Sequence, residues 1–490
     1  MKFLSPRCFA GFLLFCIASP AFGQTWRPPT IVKTLSNGLT IVLSEDHSAP
    51  TFGLCISYGI GSRLEPEGRS GFAHLFEHMM FEGTPVAEKG IFDRVTESGG
   101  GFNNGQTTND FTQYFESAPI SALDALLWLE ADRMKTLDFS AKNLDNQRSV
   151  VEEEVRVNVL NQPYGLFFAF ELPGKAFDKF PNAHNGYGDF KDLDAATISD
   201  VKSFYEKYYV PGNAVLALVG DFSSDEAFAK IEKYFSAVPA KPAPPRPDVS
   251  EGLLTKERRD QETDNLAKVP ALAIGYRAPS AETHDALVGA VAGELLHNGQ
   301  ASRLYQALVK EKQVALSVSG GLNFNNYTPF EYKGPTLLGS FIVYPPGKTE
   351  DEVLAAYDAV INELARKAPS REELERVTSK MRSDWYDQLG IPVQRAQTLS
   401  HFQLLQGSFD RAYAIPEELA KVTPEEVRSF AAKYLVKSNR AVINRIPNPN
   451  PAAKPATHLA PASHADPMFN AASLDAELVF RPASAAGGAQ

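Results

Sequence analysis

The sequence predicts an α+β fold of two homologous domains, each a mostly antiparallel sheet with helices packed on it. Three observations lead to this prediction. A segment at 197–218 recurs at 423–444, strand-like and helical patterns alternate along the chain, and a proline-rich stretch separates the two copies. Helices layered on an antiparallel sheet fit this alternation. A chain of 490 residues is also too long for one compact core.

The internal repeat is the strongest of these observations. At a constant offset of 226, eight residues recur: Thr197, Val201, Ser203, Phe204, Lys207, Tyr208, Val210 and Asn213 match Thr423, Val427, Ser429, Phe430, Lys433, Tyr434, Val436 and Asn439. Ala214-Val215 recurs one place late, as Ala441-Val442, which predicts that the second copy inserts Arg440 in a turn. Each segment has the pattern of an N-capped amphipathic helix, a turn and a strand.

The first 23 residues have the features of a signal peptide. Lys2 and Arg7 precede a short apolar run, and small residues precede Gln24. The run is too short to span a bilayer, so we expect no stable membrane anchor and export to the periplasm of a Gram-negative bacterium. Cleavage would leave Cys55 as the one cysteine, in a strand-like run where a buried small hydrophobe is expected.

The rest of the chain divides into four predicted segments: an N-terminal domain at 24–237, a proline-rich linker at 238–262, a C-terminal domain at 263–446, and an Ala/Pro-rich tail at 447–490. The strand-like runs include 39–43, 51–58 and 214–219, and helical periodicity marks 121–135 and 198–207. The linker contains five prolines between 238 and 248, which favours a stiff extended chain.

Composition argues against a nucleic-acid-binding protein and excludes a largely disordered chain. The chain has 48 basic and 59 acidic side chains and a formal net charge of −11, whereas a nucleic-acid-binding protein depends on a basic surface. Hydrophobic residues make up 43% and charged residues 22%, which is typical of globular domains and excludes a largely disordered polymer.

The segment 68–84 carries the most informative motif. A helix here places His74 and His78 four residues apart on one face, with Glu77 beside them, while Phe76 and Met79 point the opposite way. Two imidazoles at this spacing can both bind one Zn²⁺, at about 2.0–2.1 Å. The carboxylate between them can accept a proton from water. The sequence therefore predicts one zinc ion per chain, with Glu77 as the catalytic base.

A catalytic zinc needs a third protein ligand and an open position. The candidate ligands are in the helical pattern at 143–160, which contains three consecutive glutamates. Glu153 points away from the apolar face of this helix, whereas Glu152 and Glu154 flank that face on either side. Helical geometry alone does not choose between those two.

These residues resemble the inverzincin metallopeptidases of the pitrilysin/insulinase family, which includes mitochondrial processing peptidase. That family has the signature His-x-x-Glu-His, with a glutamate ligand some 76 residues further on, and here that spacing leads from His78 to Glu154. The resemblance covers most of the chain beyond residue 36, including the stretch at 99–116. It implies a zinc-dependent endopeptidase with His74, His78 and Glu154 as ligands.

The resemblance also implies that 104–114 forms an edge strand beside the zinc. An exposed edge can bind an extended peptide through main-chain hydrogen bonds, so Asn104, Gly105 and Thr107 are the expected substrate-binding residues. The alternative is an ordinary internal strand, which the residues alone would favour. The expected substrates are oligopeptides or unfolded segments.

Two departures from the family pattern stand out. Gln147 occupies the place of an auxiliary glutamate seven residues before the ligand, and Val309 and Leu316 occupy the places of an arginine and a tyrosine that hold substrate. Arg303 and Tyr305 lie nearby but match a structural segment of the family. The resemblance therefore implies a two-chain enzyme, in which a homologous second chain supplies the Arg/Tyr pair. The alternative is a non-catalytic or weakly active scaffold subunit of the same family.

The second copy is expected to lack zinc ligands. Its helical segment 285–299 contains Glu294 and His297 but no second histidine four residues away. We expect His297 to end this helix, where the helix dipole favours a cation. The remaining histidines, among them His184, are isolated in the sequence and are assigned no role.

Overall fold

The structure is a computed structural model that describes residues 26–324 and 328–451, without the side chains of 168 and 169. The predicted signal peptide and most of the predicted tail therefore lie outside the described residues. Within them, no helix is both long enough and apolar enough to cross a membrane.

The first half of the chain forms a six-stranded sheet with the order β1-β2-β6-β3-β5-β4. Its strands are β1 (Thr30–Thr34), β2 (Thr40–Glu45), β3 (Thr51–Tyr58), β4 (Phe102–Thr107), β5 (Thr112–Pro119) and β6 (Ala214–Gly220). Its helices are α1 (Phe72–Met79), α2 (Ile91–Glu97), α3 (Leu123–Lys135), α4 (Ala141–Val155), α5 (Leu172–Ala176), α6 (Phe180–Ala183), α7 (Phe190–Asp194), α8 (Ile198–Tyr208) and α9 (Ser224–Phe235). A π-helical turn, Arg156–Leu160, continues α4.

The second half forms a five-stranded sheet with the order β7-β11-β8-β10-β9. Its strands are β7 (Arg258–Asp264), β8 (Ala271–Arg277), β9 (Ser317–Leu322), β10 (Leu337–Val343) and β11 (Arg440–Pro447). Its helices are α10 (His284–His297), α11 (Glu350–Arg366), α12 (Arg371–Gly390), α13 (Pro392–Gln406), α14 (Asp410–Leu419) and α15 (Pro424–Tyr434), with a π-helical segment at Tyr305–Glu311.

The two sheets share one topology. In each, one parallel pairing, β2 with β6 or β7 with β11, is followed by three antiparallel pairings. The first sheet has one further strand, β1, which pairs antiparallel with β2. The predicted α+β fold of two homologous domains is thus confirmed. The exact domain and linker boundaries remain predictions.

The repeat holds at the level of single residues. Capping boxes start both repeated helices, one at Thr197 and the other at Thr423. The side chains of Asn213 and Asn439 both donate to the carbonyl five residues earlier, at 2.9 and 2.8 Å. These shared residues thus build the same helix–turn–strand unit twice.

The predicted insertion of Arg440 in a turn is wrong. Ala214 begins β6 opposite Tyr58 of β3, and Arg440 begins β11 opposite Tyr276 of β8. The offset of 226 therefore continues without a gap, and Arg440 takes the place of Ala214. Its guanidinium is buried and ion-paired with two carboxylates, which explains how a charged residue replaces alanine in a central strand.

Each half covers the outer face of the other half's sheet. Helix α13 of the second half lies across β3 and β6 of the first sheet. The approach is so close that a Cβ on Gly53 would lie 2.3 Å from Val393 Cα. Ser57 on β3 and Ser400 on α13 are joined by a 2.7 Å hydrogen bond between their hydroxyls. Cys55 is buried in the same layer, as predicted for a small hydrophobe.

The reverse contact is made by α5. Leu172 and Ala176 pack against Ala273 of β8 and Ile443 of β11. The repeat offset of 226 carries α5 onto 398–402, which is inside α13. The exchange of covering helices is therefore symmetrical, and the central strands β3, β6, β8 and β11 are buried on both faces.

Candidate metal centre

Helix α1 presents two faces of different chemistry. Phe72, Phe76 and Met79 are buried in the core of the first half, where Phe76 stacks on Phe204 with ring centroids 5.0 Å apart. His74, Glu77 and His78 occupy the other face. The side chain of His74 is 6% exposed and that of His78 is 20% exposed, so the site is shielded but open on one side.

Three donor atoms converge above this face. The Nε2 atoms of His74 and His78 are 3.3 Å apart, and the carboxylate of Glu154 on α4 lies 3.5 Å from the first and 3.2 Å from the second. Among the described residues, this is the one group of histidine, cysteine and acidic side chains arranged to hold a metal ion.

The donor triangle fits a tetrahedral divalent ion. Ligand atoms about 2.0–2.1 Å from a tetrahedral zinc ion are about 3.3–3.4 Å from one another. Here the two imidazole nitrogens are 3.3 Å apart, Glu154 Oε2 lies 3.2 Å from His78 Nε2, and Glu154 Oε1 lies 3.5 Å from His74 Nε2. Glu154 Oε1 is also buried without a hydrogen bond to any described residue, although it lies beside His74. Three ligands leave the fourth position for water or substrate, which is the arrangement of catalytic sites.

The structure also separates the three consecutive glutamates. Glu152 and Glu153 both turn towards Arg156, at 2.7 and 3.5 Å, whereas Glu154 turns towards the histidines. Burial alone would raise the pKa of Glu154, but the neighbouring imidazoles lower it well below its usual range. The carboxylate is therefore an anion at neutral pH, the form in which it can bind a cation.

Glu77 lies between α1 and the edge of the sheet. It is 8% exposed, and a Cβ on Gly105 would lie 2.8 Å from Glu77 Cγ. Because this glycine has no side chain, the strand backbone passes directly over the carboxylate.

The predicted substrate-binding residues lie in β4, which is the edge strand of the first sheet. The predicted single strand at 104–114 is in fact a hairpin, because a turn at 108–111 separates β4 from β5 and places Tyr114 inside the sheet. Gly105 N–H donates to Asn104 Oδ1 at 2.8 Å. Thr107 is buried, with its hydroxyl 3.5 Å from the Ala73 carbonyl.

Gln147 is buried behind the centre and donates through Nε2 to Glu82 Oε1 at 2.5 Å. The same carboxylate accepts from Lys89 Nζ at 2.5 Å. Gln147 thus joins α4 to the segment that follows α1. Although Gln147 has no carboxylate of its own, that of Glu82 lies next to it.

The second half holds no matching donor set among the described residues. Strand register aligns Gly320 of β9 with Gly105, and a Cβ on Gly320 would lie 2.7 Å from His297 Nε2, so His297 occupies the place of Glu77. Three residues before His297 and one after it, Glu294 and Asn298 take the places of the two histidine ligands, and Asn298 donates a hydrogen bond to Glu294.

His297 ends α10 as expected, but its predicted interaction with the helix dipole as a cation is wrong. Its Nδ1 lies 2.9 Å from Gly293 O and its Nε2 lies 2.7 Å from Ser340 Oγ. Burial lowers the pKa of His297 to about 4, so the ring is neutral near pH 7.

The positions that the family pattern assigns to arginine and tyrosine carry neither group. Val309 is partly buried in the π-helical segment, and Leu316 is 50% exposed beside the edge strand β9. Arg303 is held by Glu373 through two hydrogen bonds of 2.8 and 2.7 Å, which agrees with a packing role.

Residues without a signal in the sequence also surround the centre. The ring of Tyr187 stands edge-on to His74 at 5.2 Å, and His184 reaches Glu65 beneath the start of α1. The folding of the loop that contains both residues brings them here, and no local pattern in the sequence points to it.

Known proteins resemble this chain over most of the described residues. The profile described as "Insulinase (Peptidase family M16)" matches residues 40–168, and the profile described as "Peptidase M16 inactive domain" matches residues 195–381. The chain is 30% identical over 321 residues to "Zinc protease PqqE" of Helicobacter pylori, which covers 64% of this chain and 72% of that protein. It is 27% identical over 211 residues to "Mitochondrial-processing peptidase subunit beta" of Caenorhabditis elegans, covering 42% of this chain and 45% of that protein.

Solved structures share the fold. A protease from Helicobacter pylori superposes with a TM-score of 0.80 at 24% identity, covering 86% of this chain and 100% of that chain. The first half of the periplasmic protease PqqL from Escherichia coli gives a TM-score of 0.65 at 20% identity, with 86% and 92% covered. The profiles and the relative at 30% identity lead to one conclusion: this chain belongs to the insulinase-like peptidase family M16.

Proposed function

We propose that this chain is a zinc-dependent endopeptidase that hydrolyses extended oligopeptides or unfolded segments, and that it is the metal-bearing chain of a two-chain enzyme. The observation that carries the proposal is the donor triangle of His74, His78 and Glu154, with the buried carboxylate of Glu77 beside it. One zinc ion per chain would be held by these three residues. When bound, it supplies Lewis-acid chemistry, which polarises a peptide carbonyl and acidifies a water molecule.

The role proposed for Glu77 is proton transfer. Its carboxylate takes a proton from the attacking water and passes it to the leaving amine, which is the task of a general base that later acts as an acid. The carboxylate lies on the same helix face as the two histidines and is largely shielded from solvent, so little free water competes for the proton.

The role proposed for β4 is to bind the substrate backbone. An edge strand offers unpaired main-chain groups to an added strand. Gly105 N–H bonds to the Asn104 side chain, a bond that an incoming peptide carbonyl can replace. Because this recognition uses the main chain, it selects extended conformation more than sequence.

The two-chain arrangement is supported by what the second half lacks. Val309 and Leu316 provide neither positive charge nor a phenol, and Arg303 is engaged by Glu373. A homologous second chain would supply the missing Arg/Tyr pair. One relative is named as a subunit, which agrees with such an assembly.

The competing function is a non-catalytic scaffold of the same family. The profile that matches 195–381 is described as an inactive domain, which favours this alternative for the second half. The complete donor set in the first half favours catalysis.

One purification tests these functions. Zinc per chain is measured by elemental analysis, and cleavage of a quenched fluorescent peptide is measured for the chain alone and with any chain that co-purifies. We expect one zinc ion per chain, activity that depends on the pair, and loss of that activity with retained zinc in Glu77→Gln. Full activity of the chain alone would refute the two-chain arrangement. Zinc without activity in either state would establish the scaffold function.

We also propose export to the periplasm. The signal-like pattern of residues 1–23 supports it, and one structural neighbour is described as periplasmic. Mass spectrometry of the protein from a periplasmic extract should find an N-terminus at Gln24. A full-length chain confined to the cytoplasm would contradict this.

A further inference from the structure

The start of α1 is capped from outside the helix. Its N-cap residue is Gly71, in the left-handed region at φ 84°, and no side chain of the helix itself caps it. Instead the carboxylate of Glu65 accepts hydrogen bonds from Gly71 N–H at 2.9 Å and Ala73 N–H at 2.7 Å. An anion here satisfies free N–H groups and interacts favourably with the helix dipole.

Glu65 is in turn held by His184. His184 Nε2 lies 3.0 Å from Glu65 Oε2, and its Nδ1 lies 2.7 Å from the carbonyl oxygen of Phe180. The ring thus links the Phe180 carbonyl to the Glu65 carboxyl group through its two nitrogens. Burial raises the pKa of Glu65, and the hydrogen bond and charge of His184 oppose that rise. Burial lowers the pKa of His184, but the hydrogen bond and charge of Glu65 outweigh this and raise it.

The loop that contains His184 also packs on α1 directly. Gly188 and Gly71 approach so closely that a Cβ on Gly188 would lie 2.5 Å from Gly71 Cα. Asp192 accepts from both the backbone N–H and the hydroxyl of Ser70, at 3.0 and 2.6 Å. The helix that carries two of the donors is thus fixed at its first turn.

The same loop also contacts α4, the helix that carries the third donor. Arg148 on α4 donates to Leu193 O at 2.8 Å and to Ala196 O at 2.9 Å. Residues 184–196, which we name the bridging segment, therefore bond to α1 at one end and to α4 at the other. Helices α1 and α4 also pack on each other directly, and Gln147 links α4 to Glu82 beyond the end of α1. The bridging segment adds a hydrogen-bonded connection between α4 and the start of α1.

We propose that the bridging segment positions α1 against α4, so that His184 and Arg148 set the affinity of the centre for zinc without touching the metal. The proposal rests on the metal centre of the proposed function but not on peptidase activity. The distances of 3.2 and 3.5 Å between the two imidazoles and the two carboxylate oxygens of Glu154 leave little tolerance. A small slip of α1 along its axis moves both imidazoles away from Glu154 together. Groups that hydrogen-bond directly to metal ligands are worth about 10- to 100-fold in metal affinity, and 100-fold is therefore an upper bound for residues that act through the two helices.

The test measures zinc affinity by competition with a chromogenic chelator for three single variants. We expect His184→Gln and Arg148→Met to weaken binding at least tenfold, and Arg148→Lys to recover part of the loss because it keeps one donor. The Arg148 side chain lies near the surface, 18% exposed, so its variants should fold. In the cobalt-substituted protein, the visible absorption of the tetrahedral site should fall or shift in the same variants.

The matched control is His297→Gln, which removes a buried and hydrogen-bonded histidine from the second half. This variant should have a lower thermal stability, measured in the presence of a metal chelator, but an unchanged affinity for zinc. Zinc affinities within twofold of the unmodified chain for both His184→Gln and Arg148→Met would overturn the proposal, as would an equal loss of affinity in the control. Absence of zinc binding by the unmodified chain would overturn the metal centre itself.

Discussion

Replacing Gly105 by alanine tests whether the edge strand and Glu77 act as one site. The added Cβ would lie 2.8 Å from Glu77 Cγ and 3.3 Å from the Phe81 ring. Two carbons make favourable contact at about 3.5 Å, so Glu77 and β4 must separate by about 0.7 Å. Strand β4 is paired on one side only, so either the carboxylate or the strand can yield. In both cases the distance from the base to a bound peptide changes.

The expected cost follows from this displacement. Misplacing a catalytic group by 1 Å costs about 100-fold in rate, so a displacement of 0.7 Å should lower kcat/KM by about 10- to 100-fold. Zinc content should not change, because Glu77 and Gly105 are outside the donor triangle.

The assay compares kcat/KM for a quenched fluorescent peptide, in the active assembly, with zinc measured on the same samples. Gly252→Ala is the control, since a Cβ there meets no atom within 4 Å. If Gly105→Ala kept kcat/KM within twofold of the unmodified enzyme, the proposed contact between edge strand and base would be wrong. Loss of zinc in Gly105→Ala would instead show that the strand supports the ligands.

Two further predictions concern the fold. Gly53→Ala places a Cβ 2.3 Å from the backbone of α13 and should lower the free energy of unfolding in urea by about 1–3 kcal/mol. The control Gly390→Ala adds a Cβ in open space and should not lower it. Equal urea midpoints for the two variants would contradict this prediction. The pKa of His297 is about 4 in the folded protein against 6.5 in the unfolded chain. Its contribution to the free energy of unfolding is therefore complete above pH 6.5, and about 3 kcal/mol is lost as the pH falls to 4. Urea unfolding at pH 7 and pH 4.5 should show this loss of stability, and His297→Gln should lose less stability between the same two pH values. Equal losses in the two proteins would refute the assignment of this pH dependence to His297.

Local patterns in the sequence predict much of the fold. The strand at 51–58 has the bounds that alternation and β-propensity give it, and the capped helix at 198–208 differs from its predicted bounds by one residue. Both elements carry their own signals, namely a run of strand-forming residues and a Thr cap. The same holds for α1, whose apolar spacing separates its core face from its polar face.

What depends on distant parts of the chain could not be predicted in this way. The turn that divides 104–114 into two strands is stabilised by Asp110, which accepts from the backbone of Lys333 and Gly334 in the second half. Asn109-Asp110 is a turn signal that would have located it. The link from His184 to Glu65 joins residues 119 apart, and neither has a neighbour in the sequence that marks it.

The choice of Glu154 is an intermediate case. Helical geometry reduces three glutamates to two, and only the packing of α4 against α1 separates the remaining pair. Arg156, one turn further along the helix, forms ion pairs with Glu152 and Glu153. Its position in the sequence was visible, but its choice of partners depends on side-chain packing.

The symmetrical exchange of α5 and α13 bears on how this chain arose. A single-copy ancestor would have had an uncovered sheet face and a helix with nothing to cover within its own molecule. It could bury both by pairing with an identical molecule across a twofold axis. The duplicated chain would then be a former homodimer joined end to end, and the first copy could keep its metal site while the second lost it without loss of the shared core.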